Sequence, residues 1–480
     1  MFRKLFAKFF SITFLLLFGF TFSNAEYNLV ELNPGFDYGT WYKTETGYTP
    51  NSQWFGAWVI APRNDELYFG FGTAHPAESD GAMLAKWVGE WLIPLGQFSE
   101  EGVHCIKWVG DTLYGIGSDP SIVDGWDGGN FYKYYPSTGQ FLKLRYDINN
   151  KPILPNVLHS WGLYFDKDSN YLFLSTSAYN PSQYSKNGNS CGYPLDSSNA
   201  CFGQVWKSTD FGSKWELISG RNGFEVSKFR TMDITKFNGD LYVHTYYSIT
   251  ENNVTRFFYN LKKSTDYGVS WIEISGVVPN ALFRMCIFKN KLVVAANIAR
   301  TIYIIDENKN IDTVNMPGAL NYSFNVFADV DDRFLITYFA DGSVYFTSDL
   351  KNWAELIPST GRNFLSIAYW EHEKSIVLAE RGDTGSIWKL DISELLSTDV
   401  HSVTKPEISF SSDNNSVTIN SKNDDILSFD IIDVLGKQIA VPISSNSNNI
   451  KLDISHLTSG LYFVCFRTQK KYFVKKIMKF

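Results

Sequence analysis

The sequence predicts an all-β protein, a seven-bladed β-propeller followed by a small immunoglobulin-like β-sandwich. Three observations support this fold class. Short apolar segments separated by Gly- and Asp-marked turns recur about every 40 to 60 residues, a period typical of propellers and solenoids. Convincing amphipathic helices are absent from the sequence, apart from a short turn at 393–396. A turn motif at 207–215 occurs again at 263–271, each time between two β-rich runs.

The first 25 residues predict a signal peptide. An apolar run at 9–22 precedes small residues at 23–25, which suit a signal peptidase, and it follows a basic segment that contains Arg3, Lys4 and Lys8. An apolar run of about 14 residues is shorter than the roughly 20 residues of a membrane span. No later stretch is long and apolar enough to be one. We therefore expect an exported chain without a transmembrane anchor.

Composition and charge exclude some classes of partner. The chain is 44% hydrophobic and 16% aromatic, which is enough for a sizeable core. Its formal net charge is −7, and removal of the three basic residues of the signal peptide leaves −10. Nucleic acids and anionic membranes both require a basic protein face. We therefore expect no nucleic-acid partner.

Seven repeat units can be laid out along the middle of the chain. Each contains an apolar strand, a marked turn, a second strand, a variable loop and two further strands, which is the order of a propeller blade. The units cover 54–98, 101–147, 157–220, 228–276, 281–318, 322–361 and 363–394. Because the first and last repeats are weakly marked, six and eight blades remain alternatives. The predicted domains are the signal peptide at 1–25, the propeller at 26–396, a polar linker at 397–406 and the β-sandwich at 407–480.

The five cysteines indicate no metal site. There is no Cys-x-x-Cys pair and no histidine at metal-ligand spacing. Cys191 and Cys201 bracket a loop rich in Gly, Pro, Asn and Ser, so in an exported chain we predict a local disulfide, with two free thiols as the alternative. Cys105, Cys286 and Cys465 lie in apolar strand patterns and are predicted to be buried.

The repeated turn has a defined chemistry. Serine and aspartate side chains bind backbone amides in tight turns, glycine accepts positive φ, and tryptophan folds back as an apolar plug. The residues concerned are Ser208, Asp210, Gly212 and Trp215, then Ser264, Asp266, Gly268 and Trp271. The pattern Ser-x-Asp-x-Gly-x-x-Trp resembles the Asp box, or BNR repeat, of sialidase-like β-propellers. The resemblance implies structural turns at the outer rim of one face and does not specify an activity. A shorter third copy at 347–353 lacks the glycine.

The C-terminal region contains three motifs in a characteristic order, at 432–439, 452–464 and 474–479. They resemble the type A C-terminal sorting domain of the type IX secretion system. The resemblance implies that the secretion machinery is a partner and that the protein is secreted or attached to the outer cell surface after passing through the periplasm. The alternative is an ordinary immunoglobulin-like sandwich that helps to bind a ligand.

Four basic side chains are predicted to form a ligand site. In a propeller the innermost strands begin at one end of the central channel, hereafter the mouth, where the loops between blades also lie. Aligning the starts of four innermost strands places His104, His159, Arg230 and Arg284 at the same register. Arginine forks with neighbouring histidines suit a carboxylate, sulfate or phosphate group. The alternative is that each basic residue pairs with a nearby loop carboxylate.

Long loops at the same face add two acidic candidates. Asp80 lies in the loop at 75–81 and Asp127 in the loop at 119–130, and a third long insertion covers 179–202. Long loops in compact folds are often functional. A calcium site at Asp119, Asp124 and Asp127 is the weaker alternative, because the spacing lacks the acidic ladder and closing glutamate of an EF-hand. Asp-Gly turns are the favoured interpretation, and no cofactor or metal is expected.

The sequence favours a binding protein over an enzyme. A sialidase requires an arginine triad, a Tyr-Glu nucleophilic pair and an acid/base aspartate. Arg230, Arg284 and Arg362 are the available arginines, but their order departs from the family pattern and no Tyr-Glu pair can be assigned. We therefore expect an exported or surface propeller that binds an extracellular glycan or other anionic polymer. The alternative is a carbohydrate-active enzyme, a glycoside hydrolase or polysaccharide lyase, that uses the same mouth with His104 or His159 as a base.

Overall fold

The computed structural model divides the chain into two compact units, Met1–Leu396 and Ser397–Phe480. In the first unit the structure describes residues 27–50, 53–73, 81–118, 126, 128–179, 201–219, 230–252, 254–277, 284–296, 300–320, 325–382 and 384–396. In the second unit it describes residues 397, 408–413, 415–421, 426–433, 437–440, 442–446, 449–468 and 472–479. The predicted signal peptide at 1–25 and all of the predicted linker except Ser397 lie outside these residues.

The first unit is nearly all-β, and its described strands form seven four-stranded antiparallel blades. Blade 1 contains β2 (Gly56–Arg63), β3 (Glu66–Gly72), β4 (Met83–Val88) and β5 (Trp91–Gln97). Blade 2 contains β6 (Gly102–Val109), β7 (Thr112–Ser118), β8 (Phe131–Tyr135) and β9 (Gln140–Leu144). Blade 3 contains β10 (Val157–Asp166), β11 (Tyr171–Tyr179), β12 (Cys201–Ser208) and β13 (Glu216–Ser219).

The remaining blades follow the same order, with the first strand innermost. Blade 4 contains β14 (Arg230–Phe237), β15 (Asp240–Glu251), β16 (Val254–Ser264) and β17 (Ile272–Glu273). Blade 5 contains β18 (Cys286–Phe288), β19 (Lys291–Ala296), β20 (Thr301–Ile305) and β21 (Ile311–Asn315). Blade 6 contains β22 (Phe327–Val330), β23 (Phe334–Tyr338), β24 (Val344–Thr347) and β25 (Ala354–Ile357). Blade 7 contains β26 (Phe364–Trp370), β27 (Ser375–Glu380), β28 (Ile387–Asp391) and β1 (Leu29–Glu31).

The ring closes through blade 7. Its outermost strand, β1, comes from the other end of the propeller sequence and pairs antiparallel with β28, with Val30 opposite Lys389. Blades 7 and 1 also share hydrogen bonds, because Ser366 Oγ donates to the Ala57 carbonyl at 2.8 Å. Closure protects the strand edges that an open array would leave exposed. The predicted fold class, a seven-bladed propeller followed by a small sandwich, is confirmed.

One helix was missed by the sequence analysis. Helix α1 (Tyr38–Thr46) links β1 to β2, and the Asp37 side chain caps it by accepting a hydrogen bond from Thr40 N at 2.9 Å. It buries Tyr38 and Tyr42, but its apolar stripe is too narrow to give a clear helical period. A second short helix, α2 (Ser393–Ser397), ends blade 7. Neither helix in the described chain is long and apolar enough to cross a membrane.

The repeated turns are closed by the side chains that the motif predicted. In the second copy, Gly268 N donates to Ser264 Oγ at 2.8 Å and Ser270 N donates to Asp266 Oδ1 at 2.9 Å. Gly268 has φ of 92°, a conformation that glycine adopts without a Cβ clash. The first copy has the same contacts, since Gly212 N donates to Ser208 Oγ at 2.8 Å.

The tryptophans of these turns connect neighbouring blades. Trp215 of blade 3 packs edge-to-face on Phe131 of blade 2, with ring centroids 5.1 Å apart. Trp271 of blade 4 donates its Nε1 hydrogen to Ser219 Oγ of blade 3 at 3.0 Å. Each motif therefore closes a hairpin and also holds its blade against the preceding one.

The C-terminal unit is a sandwich of two four-stranded sheets. One sheet contains β29 (Ile408–Ser412), β30 (Ser416–Ser421), β34 (Asn449–Asp453) and β33 (Ile443–Asn446). The other contains β32 (Gln438–Ile439), β31 (Ile426–Asp433), β35 (Gly460–Thr468) and β36 (Tyr472–Lys479). Apolar side chains of both sheets, including Val417, Leu452 and Val464, form one buried core.

The aspartate of the second turn should make the stability of the protein depend on pH. Hydrogen bonds from Ser270 and Ser264 lower the pKa of Asp266 from 3.8 to about 2. A lowered carboxyl pKa stabilises the fold above the unfolded pKa, and this stabilisation is lost as pH falls toward about 2. We expect Asp266→Asn to lower the melting temperature at pH 7 and to have less effect as pH falls toward 2. Thermal melts from pH 7 to pH 2 measure this difference.

The exposed neighbour Thr265 supplies the control for this experiment. Thr265→Ala removes a side chain from the same turn without touching the hydrogen bonds of Asp266, so it should leave the melting temperature nearly unchanged at every pH. A gap between wild type and Asp266→Asn that stays constant from pH 7 to pH 2 would contradict the assignment.

Candidate functional site

The structure describes four of the six residues predicted for the ligand site. His104 lies on β6, His159 on β10, Arg230 opens β14, and Arg284 directly precedes β18. All four lie at the mouth end of their innermost strands. Asp80 and Asp127 lie outside the described residues, as does Cys191, and the side chain of Cys201 is likewise not described.

The register predicted for these residues is wrong for His104. His159 faces Ser177 and Arg230 faces Tyr246, and each lies two residues before a bulged residue of its strand, Trp161 or Met232. In blade 2 that position belongs to Gly102, which faces Ser118. His104 lies two residues further along. His104 is itself the bulged residue, which the register shift between Val103 and Cys105 leaves unpaired, and so it corresponds to Trp161 of blade 3.

These bulges recur around the ring. A register shift interrupts the innermost strand near its start in blades 1, 2, 3, 4 and 7. A bulge leaves its extra residue out of the ladder and re-aims the side chain. The extra residues are Trp58, His104, Trp161, Met232 and Leu365. Four of them belong to one buried cluster, and His104 stacks on two of its members.

Stacked rings run across the mouth end of the channel. The His104 ring stacks on Trp58 at 5.6 Å and on Trp161 at 4.4 Å between centroids, with interplanar angles of 16° and 13°. The His159 ring stacks on Trp161 at 5.0 Å. Each such pair contributes about 0.5 to 1.5 kcal/mol beyond the area it buries. The rings of blades 1, 2 and 3 therefore form a continuous stack, which is buried, since Trp58 is 2% exposed and Trp161 is 5% exposed.

Two glycines make room for the first ring. Gly72 and Gly102 pair with each other across blades 1 and 2, and the Trp58 indole lies against both. A Cβ at either position would overlap the indole. Glycine within these strands is thus required by a close approach of backbone and ring.

Arg230 places a positive charge over this stack. Its guanidinium carbon lies 4.8 Å from the Trp161 ring centroid, within the range of a cation–π contact. The histidines contribute differently, because His104 is 2% exposed and His159 is 7% exposed. His104 Nδ1 lies 3.1 Å from the Ser160 carbonyl, which requires a proton on Nδ1. Both histidines are therefore part of the floor of the mouth.

Arg284, which directly precedes β18 of blade 5, connects its blade to two others. Its guanidinium donates to Asp233 Oδ1 of blade 4 at 3.3 Å and also to the carbonyl of His104 in blade 2. Asp233 additionally accepts from Met285 N at 2.7 Å and from Ile234 N at 2.9 Å. Burial raises the pKa of the Asp233 carboxyl, and the Arg284 charge and these amides oppose the rise. Arg284 thus has the carboxylate partner that the alternative interpretation required.

A second arginine on a tryptophan lies at the other side of the mouth. The Arg381 guanidinium carbon is 4.7 Å from the Trp54 ring centroid, and Arg381 also donates to Asn363 Oδ1 at 3.1 Å. Trp54 contacts the stack through its carbonyl, which accepts a hydrogen bond from Trp58 Nε1 at 2.9 Å, and its partly buried ring packs against the same core. We call Trp54, Trp58, His104 and Trp161 the aromatic row.

Sequence reasoning missed Trp54, Trp58, Trp161 and Arg381. One signal was available, since tryptophans stand at the starts of the first strands of blades 1 and 3, at Trp58 and Trp161. A tryptophan at a strand start is usually a core residue, so the signal was weak. The contacts between blades, which give these residues their common surface, are not visible in the order of the chain.

Arg362, the third arginine considered for a sialidase-like triad, belongs to another cluster. Arg362 lies over the Trp388 ring at 3.5 Å and pairs with Glu380 Oε2 at 2.9 Å. Arg362 and Trp388 both belong to the blade 7 region, whereas Arg230 and Arg284 contact blades 3, 4 and 2. The three arginines therefore have different aromatic or acidic partners.

The described residues were compared with the predictions for metal sites and for cysteines. Among them no group of three or more His, Cys, Asp or Glu side chains is arranged to hold a metal ion. Cys465 is buried, as predicted, whereas Cys105 and Cys286 are only partly buried. All three are free thiols.

Comparison with known proteins identifies the C-terminal unit. A family model described as a secretion system C-terminal sorting domain matches residues 413–479. This domain marks the chain as a protein handled by the type IX secretion system and places it outside the cell or on its surface. No curated protein matches the chain.

Similar solved structures include three proteins. Virginiamycin B lyase from Staphylococcus aureus is 14% identical, covering 76% of this chain and 99% of its own, with a TM-score of 0.46. PorZ, a surface component of the type IX secretion system of Porphyromonas gingivalis, is 12% identical, covering 90% and 60%, with a TM-score of 0.45. YCF48 from Cyanidioschyzon merolae is 11% identical, covering 71% and 97%, with a TM-score of 0.44. Likeness at this level says nothing about function.

The buried pair of Asp233 and Arg284 should be strongly coupled. Asp233→Ala leaves the Arg284 charge and the Met285 amide without their carboxylate, and removal of one partner of a buried pair costs about 3 to 5 kcal/mol. Arg284→Met in the same chain removes that charge, so we expect the double variant to recover at least about 1 kcal/mol. Denaturant unfolding of the four members of this cycle measures the coupling.

The control is Asp168→Ala, since this carboxylate is 89% exposed and its contact with Lys236 is at the surface. We expect a change within about 0.5 kcal/mol. Additive effects of Asp233→Ala and Arg284→Met would contradict a direct interaction between the two side chains.

Proposed function

We propose that this exported propeller binds an extracellular acidic glycan, or another anionic polymer with ring-containing units, at the mouth formed by the aromatic row. The observation that carries the proposal is the partly exposed Arg230 at the mouth, whose guanidinium lies over the buried Trp161 ring. The C-terminal sorting domain provides the route to the outside of the cell, where such polymers occur.

The chemistry of the surface suits a charged sugar. Indole faces pack against the apolar faces of sugar rings, and guanidinium groups form paired, charge-assisted hydrogen bonds with carboxylate or sulfate groups. Arg230 is partly exposed and offers the charge, whereas Trp161 is 5% exposed and supports the guanidinium from below. The partly exposed indole at the mouth is that of Trp54. Recognition by a few polar groups within an otherwise apolar and aromatic surface is the usual composition of a ligand site.

The net charge of the protein indicates how the ligand is held. A chain with a formal charge of −7 does not attract a polyanion over long distances. Binding therefore depends on contacts at the mouth, where arginine charges act at short range. Since exposed charges more than about 8 Å apart are screened at physiological salt, affinity should fall only moderately between low and physiological ionic strength.

The buried histidines support binding without cleavage. A general base must reach the proton that it removes, but His104 is 2% exposed and its Nδ1 faces the Ser160 carbonyl. His159 is 7% exposed and stacks on Trp161. Both side chains form part of the floor of the mouth. The test below also detects cleavage of the polymer, which a carbohydrate-active enzyme would cause.

Arg230→Gln should weaken binding of acidic polymers. The variant removes the cation above Trp161, and loss of a charge-assisted hydrogen bond of about 1.5 to 3 kcal/mol lowers affinity by roughly 10- to 100-fold. The measurement is affinity electrophoresis and calorimetry of the purified chain with polygalacturonate, alginate and chondroitin sulfate, and with neutral dextran.

Arg63→Gln is the matched control, since Arg63 lies 4.3 Å from the Trp108 ring centroid at the opposite end of its blade. It should leave affinity unchanged. Equal losses in Arg230→Gln and Arg63→Gln would argue against the mouth, and no retention by any acidic polymer would remove the proposal. The same incubations are assayed for new reducing or unsaturated ends, and such products would show an enzyme.

A further inference from the structure

We propose that a projecting hairpin of blade 4 forms one wall of the mouth and that Arg256 on this hairpin supplies a second contact for an acidic group of the polymer. The hairpin arm, as we call it, consists of residues 247–258, the part of β15 and β16 that extends beyond Tyr246. The ligand then carries at least two acidic groups, one for Arg230 and one for Arg256. This inference rests on the proposed function, because it concerns the same mouth.

The arm exists because two strands of blade 4 are unusually long. β15 has 12 residues and β16 has 11, whereas the other described strands of the propeller have at most 10. In blades 1, 2 and 7 the second strand ends opposite the first residue of the innermost strand. In blade 4 the residue opposite Arg230 is Tyr246, and β15 continues to Glu251. At about 3.4 Å per residue, the arm projects roughly 17 Å beyond the innermost strand.

Two stacked ring pairs hold the base of the arm, one on each of its faces. The ring centroids of Tyr246 and Tyr259 are 5.0 Å apart, and those of Tyr247 and Phe258 are 4.9 Å apart. In the described part of the sheet neither neighbouring strand accompanies the arm, because β14 begins at Arg230 and β17 pairs near the end of β16. A hairpin without neighbouring strands is only marginally stable in water. Cross-strand ring pairs therefore stabilise the arm where it leaves the blade.

One face of the arm is directed toward blade 3. Side chains alternate along a strand, so Val243 and Tyr247 lie on the same face of β15. Val243 packs in a buried cluster with Phe173 of blade 3, and Tyr247 packs against the buried cluster that contains Trp161. Since the Arg230 guanidinium lies over the Trp161 ring, Arg230 and this face of the arm border the same part of the mouth.

The same face carries accessible rings and a positive charge. Phe258 is opposite Tyr247, and Arg256 lies two residues nearer the tip on the same face. Tyr247 and Phe258 are partly exposed, and Arg256 is exposed. Aromatic rings pack against sugar rings, and a guanidinium forms paired hydrogen bonds with a carboxylate or sulfate group. The arm therefore offers both kinds of contact through groups that a ligand can reach.

The spacing of the two arginines suits acidic groups on different units of one polymer. Arg256 faces Ile249, which lies three residues beyond the partner of Arg230 on β15. The two backbone positions are thus roughly 10 Å apart along the strand direction. The Glu273 carboxylate shares this face but lies opposite Lys262, six residues from Arg256 along β16. Its negative charge is therefore about 20 Å from Arg256 along the strand.

Arg256→Gln should weaken binding of acidic polymers. Long oligogalacturonates are titrated into the purified full chain and followed by calorimetry. We expect affinity to fall about tenfold, because one charge-assisted contact is lost. Lys214→Gln is the matched control, since it removes an exposed positive charge from the turn at 207–215, and it should leave affinity unchanged. With methyl-esterified oligogalacturonates, Arg256→Gln and the wild type should bind equally weakly.

A shortened arm tests the wall itself. Replacing residues 249–256 with Asn-Gly closes a two-residue hairpin turn between Ser248 and Phe257 and keeps both ring pairs at the base. This variant should lose at least as much affinity as Arg256→Gln. In the wild type, saturating polygalacturonate should also slow amide exchange in peptides covering 246–259. Thermal melts and near-ultraviolet circular dichroism establish that each variant is folded.

The outcomes separate this inference from the proposed function. Wild-type affinity in Arg256→Gln or in the shortened arm, or unchanged exchange at 246–259, overturns the arm contact, while a loss in Arg230→Gln still supports the mouth. An equal loss in Lys214→Gln also contradicts the arm contact, because it shows a general charge effect. If no acidic oligosaccharide binds the wild type, both proposals fail.

Discussion

Closure of the ring between blades 7 and 1 is the constraint on which the rest of the propeller depends. The residues that meet there are far apart in the chain, because Ser366 donates to Ala57 across 309 positions. Such a contact costs chain entropy, which the pairing of β1 with β28 and the buried contacts between blades must offset. Once the ring is closed, the innermost strands are all aimed at one axis. Their bulges then place side chains of five blades at the mouth, where no local segment could assemble them.

The same bulges explain the composition of the floor. A bulge turns one extra residue out of the ladder, and in blades 1 to 3 that residue is aromatic, which gives Trp58, His104 and Trp161. Rings that stack in this way need space, which two glycines provide for Trp58. The buried Asp233 and Arg284 pair connects blades 4, 5 and 2. The floor is therefore a buried stack, and the proposed ligand chemistry follows from the partly exposed Arg230 placed over Trp161.

Much of the architecture could be predicted because short segments of the sequence determine it. The turns around Ser208 and Ser264 follow from residue types at short spacing, and their hydrogen bonds form within five positions. The site was harder to predict. A bulge leaves no sequence signal, so His104 was aligned with His159 although it is the bulged residue and corresponds to Trp161. The partner of Arg284 is 51 positions away, and no local pattern indicates such a contact.

The central claim is that an acidic polymer binds the mouth and leaves the opposite face free. Amide hydrogen exchange of the full chain, with and without saturating polygalacturonate, tests this claim most directly because it reports the contacted segments. The account predicts slower exchange in peptides covering 54–58, 102–104, 157–161 and 230–232, with unchanged exchange in the turns at 207–215 and 263–271. Protection confined to those turns, or to the C-terminal unit, would contradict it.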